Sequence, residues 1–219
     1  MRFNNDCARA LIREHLLNSA ETKHALAEKC DAEIAEAASL MADSLQRGGK
    51  ILLCGNGGSA ADCQHIATEF TSILSKDFLR PAMAAIALTT DTSFLTASAN
   101  DFGFETIFVR QVEALGRPGD VLVGISTSGN SPNVILAIAR ACELGLRTVI
   151  FTGITGGQLA HRADVAIKVP STSTSHIQES HITIGHVICA LVEQEMFGDQ
   201  NQDPTTAEFS RELSTLVEA

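Results

Sequence analysis

Apolar and polar positions along this 219-residue chain fall into two regimes. From about residue 4 to 47, Ala, Leu, Glu and Lys dominate. There Leu26, Ile34, Ala37, Ala38, Met41 and Leu45 recur at roughly helical spacing, and Gly48-Gly49 supplies a stop. After Gly49, short apolar runs alternate with helical stretches. Residues 50–54 (KILLC), 83–88, 120–125 (DVLVGI), 147–151 and 164–169 read as buried strands. Helices are expected from about Ala60, from Pro132 at a first turn, and over about 176–196. Apolar strands alternating with helices predict a doubly wound α/β domain, its five-stranded parallel sheet covered by helices on both faces. Residues 1–197 read as one domain including the N-terminal helical segment, and 198–219 as a polar tail or short docked helix.

Composition narrows the class. The chain is 45% apolar and 19% charged, ordinary for a soluble globular protein. A net charge of -10 argues against a general nucleic-acid binder, which needs a basic surface, but not against an anionic small ligand met by local donors. No signal-like N-terminus and no membrane-length apolar run stand out. The six cysteines are scattered without a CxxC pair, and three sit in apolar runs, as expected of buried free thiols in a reducing cytosol. A cytoplasmic protein without a membrane partner is the expectation.

Four motifs carry chemistry. CGNGGSAAD (54–62) is a glycine turn between a strand and a helix, where backbone N–H groups and the helix dipole favour an anion. It matches neither GxGxxG nor GxxxxGK, and alone it reads more readily as plain structure than as a site. ISTSGNSPN (125–133) adds the hydroxyls of Ser126, Thr127, Ser128 and Ser131 at another helix start. That suits a phosphate monoester, with helix capping as the alternative. Two such turns at the ends of the first and third strands favour a phosphosugar pocket, because doubly wound sheets bind ligands there. His65 and Glu69, at i and i+4, share a helix face and can bind a metal or supply a base, or form a simple surface contact. HIQESHITIGH (176–186) places His186 in an apolar stretch, where it is either a core histidine or a proton-transfer group.

Together CGNGGSAADCQH, AIALTTDTS, NDFGF, RQVEALGRPGDVLVGISTSGNSPN and IQESH resemble the SIS (sugar isomerase) domain over about residues 30–197. Within it they are most similar to the sedoheptulose 7-phosphate isomerases. The resemblance implies a homotetramer with interface active sites and conversion of sedoheptulose 7-phosphate into D-glycero-D-manno-heptose 7-phosphate. That is the first step of ADP-heptose formation for lipopolysaccharide or capsule. By the same resemblance Glu69 and His186 are the acid/base pair. Asn56, Gly57, Gly58, Ser59, Glu69, Asn100, Asp101, Ser126, Thr127, Ser128, Ser131 and Gln178 are substrate contacts. His65, Glu69, Gln178 and His186 hold one zinc ion per subunit. Gln178 and His186, eight residues apart on one helix, would stand ~12 Å apart along its axis, which favours a site assembled from neighbouring subunits.

Two positions depart from the pattern. Ile73 stands where relatives commonly carry Arg, leaving Lys76, Arg80 or the Ser/Thr loop alone to hold the phosphate, and His176 stands where many carry Arg. The expected chemistry is proton transfer through an enediol. The alternatives are a non-catalytic SIS regulator or adaptor, which would lack the Glu and His, and an isomerase of another phosphosugar.

Overall fold

The computed structural model describes residues 5–198, so the tail expected beyond Gly198 lies outside the described residues. Helices α1 (Asn5–Lys29) and α2 (Asp31–Gln46) precede the sheet. Strands β1 (Ile51–Gly55), β2 (Ala85–Ala87), β3 (Val121–Ile125), β4 (Arg147–Gly153) and β5 (Val165–Val169) then alternate with α3 (Gly58–Thr71), α4 (Thr92–Phe102), α5 (Val109–Leu115), α6 (Pro132–Glu143) and α7 (Thr174–Phe197). All neighbouring strands pair in parallel, in the order β2-β1-β3-β4-β5. The expected five-stranded, doubly wound sheet is present.

Burial explains the strand readings. Every residue of β1 and β3 is buried, because these strands have neighbours on both edges and helices on both faces. Strand β2 lies on an edge and is shorter than the six-residue run suggested, with Ile86 exposed. On one face the core gathers residues of α2, α3 and α7; on the other it gathers residues of α5 and α6. The helical stretch expected as one region breaks into α1 and α2 at Cys30.

Chain reversal gives the site its place. From β1 the chain moves outward to β2, then returns to the other side of β1 to form β3. The crevice beyond the C-terminal ends of β1 and β3 is therefore the topological switch point where such sheets bind ligands. Helices α3 and α7 run side by side in the same direction. Gln178 faces Gly58, and Gly185 packs so closely on Ile66 that a Cβ there would fall 2.6 Å from Ile66 Cδ1. No helix among the described residues is long and apolar enough to cross a membrane.

Candidate functional site

Both polar turns flank the switch point and are tied together. Gly57 takes φ +57°, a conformation that favours glycine, and lets the chain turn sharply from β1 into α3. Asn56 and Asn133 exchange side-chain hydrogen bonds, each 2.9 Å, joining the turn after β1 to the first turn of α6. After β3, Ser126 Oγ and Ser131 Oγ lie 2.9 Å apart, and Gly129 N donates to Ser126 O at 3.0 Å. Pro132 occupies the first turn of α6, as its fixed φ favours. Ser59 and Ser126 are buried, Thr127 and Ser131 are half-buried, and Gly57, Gly58 and Ser128 are exposed. These turns offer hydroxyls and helix-start N–H groups to an anion without a cation of their own.

Two turns along α3, His65 and Glu69 meet His186 of α7. His65 Nε2 lies 3.1 Å from Glu69 Oε1 and 3.0 Å from His186 Nε2, with the two imidazole centroids 5.1 Å apart. One donor atom from each of the three lies within 4.8 Å of the others. The side chain of His65 is 50% exposed and that of Glu69 16%, so the carboxylate is set back beneath an open imidazole. His186 is half-buried, which removes the core-histidine alternative for it. The fully buried histidine of the motif is His181, one helical phase away. Its Nε2 faces the Thr152 carbonyl at 3.3 Å, and burial pushes its imidazole down to about 4 against that bond. Beside the cluster the Cys189 thiol is held up, first by burial and then by Glu69 and Glu193, and so stays protonated. Burial likewise raises the Asp62 carboxyl, with His65 opposing.

Other candidates fall elsewhere. Gln178 lies against Gly58, seven residues before His65 and so ~10 Å along α3 from the imidazoles; within one chain it stands apart from them. Asn100 donates to Asp101 at 2.9 Å at the exposed end of α4, and neither bonds another candidate residue among those described. Arg80, one of three groups left open for the phosphate, is unavailable: its side chain is 0% exposed and its guanidinium is saturated by Glu193 and backbone carbonyls. Lys76 is exposed and Ile73 half-buried.

The structure adds residues that the sequence reading missed. A cleft of about 230 Å³ beyond β3, β4 and β5 is lined by Thr127 and Ser128, and also by Thr155, Ser171, Thr172 and Thr174. The STST run ahead of α7 was the available signal for it. Asn133 is the other omission: it reads as a helix-start residue, and its partner Asn56 lies 77 positions away.

Residues 14–153 match the family model described as SIS domain. A phosphoheptose isomerase of Akkermansia muciniphila is 51% identical over 187 residues, covering 85% of this chain and 97% of that protein. Among solved structures, phosphoheptose isomerase GmhA from Neisseria gonorrhoeae is 45% identical with a TM-score of 0.80, covering 85% of this chain and 99% of that one. A phosphoheptose isomerase from Francisella tularensis is 36% identical with a TM-score of 0.82, covering 85% and 98%.

Proposed function

The chain belongs to the SIS domain family, and from that membership we propose that it is an aldose–ketose isomerase converting sedoheptulose 7-phosphate into D-glycero-D-manno-heptose 7-phosphate. The observation that carries the chemistry is the meeting of Glu69 with His65 and His186 beside two anion-binding turns. A regulator or adaptor would have no use for this acid/base pair, and that reading is set aside.

Isomerisation moves a hydrogen between adjacent sugar carbons while the carbonyl changes place. Glu69 takes the proton from C1 of the ketose and returns it to C2 of the enediol, and His186 serves the hydroxyl and carbonyl oxygens or ring opening. The phosphate rests on Ser126, Thr127, Ser128 and Ser131, with Ser59 and the Asn56–Gly58 turn alongside, held by hydroxyl and N–H donors. Asn100, Asp101 and Gln178 orient the sugar hydroxyls.

Two imidazoles and a carboxylate are ligands that zinc prefers, and their donor atoms are close enough to share one ion. His65, Glu69 and His186 would hold it, with Gln178 from a neighbouring copy; when bound, the ion polarises the sugar carbonyl. A homotetramer with active sites at its interfaces fits the surface. Leu11, Ile12, Leu16 and Leu17 of α1 are each about three-fifths exposed, and Val187 and Leu191 are exposed beside His186. The working compartment is the cytoplasm, and the product feeds ADP-heptose for lipopolysaccharide or capsule.

Turnover in D2O tests the reading. Enediol chemistry predicts an aldose 7-phosphate carrying deuterium at C2, seen by NMR. Absence of any aldose phosphate from folded protein would overturn it.

A further inference from the structure

We propose that Arg80 is a positioning residue for Glu69, acting through a buried clamp that joins the end of α3 to α7; this rests on the isomerase reading above. Helix α3 ends at Thr71, two residues after Glu69, so its last carbonyls have no partner within the helix. Arg80, from the segment between α3 and β2, supplies one. Its Nη2 donates to Glu69 O at 2.6 Å, and its Nη1 to Phe70 O at 2.9 Å, Ser72 O at 3.0 Å and Pro81 O at 2.9 Å. A planar guanidinium with five fixed donors meets several carbonyls at once, and its charge complements the negative end of the helix.

The other side of the clamp is Glu193. Its Oε1 accepts from Arg80 Nε at 2.8 Å and lies 2.8 Å from Nη2, with the two side chains 0% and 4% exposed. Leu74 N also donates to it, at 3.4 Å. Glu193 follows His186 by seven residues, two turns along the same face of α7. A single guanidinium therefore grips the backbone of Glu69 and, through Glu193, the helix that carries His186. Between the two grips lies Cys189, close enough to Glu69, Glu193 and Arg80 to feel the charge of all three. The clamp fixes the position of the carboxylate against His186 by holding only the backbone of Glu69, and so leaves the carboxylate to the cluster.

A buried pair stripped of one member leaves an uncompensated charge, so single deletions risk unfolding. Two variants avoid this: Arg80→Lys keeps the charge but loses the planar fork, and Arg80→Met/Glu193→Leu replaces the pair with apolar groups of similar volume. Steady-state kinetics on sedoheptulose 7-phosphate would be read beside thermal midpoints, with the wild type as the check that the isomerase reading itself holds. In both variants kcat should fall roughly 10- to 100-fold with KM within about twofold, the cost of a small displacement of a catalytic group. Arg80→Lys should stay folded, with a thermal midpoint lowered by the carbonyl bonds that an ammonium no longer makes. If kcat of Arg80→Lys stays within about twofold of an active wild type, the clamp is structural only and the proposal falls. A loss appearing equally in KM would overturn it too, since binding would then be what the clamp serves.

Discussion

Acidification should destabilise the fold through the buried imidazole of His181. His181 is fully buried in α7 against β4, 6.0 Å from the Phe151 ring, with one nitrogen on the Thr152 carbonyl and Nδ1 without a partner among the described residues. Burial lowers its pKa from 6.5 to about 4, which corresponds to about 3 kcal/mol between the two protonation states. At pH 7 it is neutral both folded and unfolded, and its contribution is complete. Below pH 6.5 the unfolded chain takes up a proton that the folded chain refuses. Stability therefore falls with pH down to about 4, where the folded form protonates too. Between pH 7.5 and pH 5 the share of this one group is about 2 kcal/mol. Urea denaturation of wild type and His181→Leu, at one protein concentration and both pH values, isolates it because all other titrating groups are common to the pair. The wild type should lose about 2 kcal/mol more than the variant on acidification. Equal losses would show that the imidazole is solvated or paired, refuting the burial argument.

Three further outcomes follow from named contacts. In Gly58→Ala the new Cβ would fall 2.6 Å from Gln178 Nε2, the far end of a flexible side chain; calorimetric binding of sedoheptulose 7-phosphate should weaken while the thermal midpoint holds. Asn133→Ala strands the side chain of Asn56 and should cost about 1–3 kcal/mol in denaturant midpoint while raising KM. Ile12→Glu/Leu16→Glu places charges on the exposed stripe of α1 and should shift the molecule to smaller assemblies by light scattering, with loss of turnover.

Local pattern carried most of the fold. The runs at 51–55 and 121–125 were legible because central parallel strands are apolar throughout, and the edge position of β2 explains why its run overestimated the strand. The break at Cys30 was not legible, since neither glycine nor proline marks it. His65 and Glu69 were readable from i, i+4 spacing alone, and their meeting with His186 rests on contact across 121 positions. Which histidine of HIQESHITIGH is buried depends on helix phase against β4, a tertiary fact, so the sequence pointed to His186 as a core candidate where His181 holds that place. Arg80 looked like a free cation because its partners, the carbonyls ending α3 and a carboxylate 113 positions away, leave no local trace.

In the proposed reaction Glu69, beside His65 and His186, moves the proton of a phosphoheptose isomerisation. The most direct measurement is NMR-followed turnover of sedoheptulose 7-phosphate by wild type and by Glu69→Gln, with substrate binding to the variant measured by calorimetry. The wild type should form D-glycero-D-manno-heptose 7-phosphate steadily, and a variant that still binds the ketose should form none. A wild type that makes no aldose, or a Glu69→Gln variant that makes it at the wild-type rate, would show that Glu69 does not carry this isomerisation.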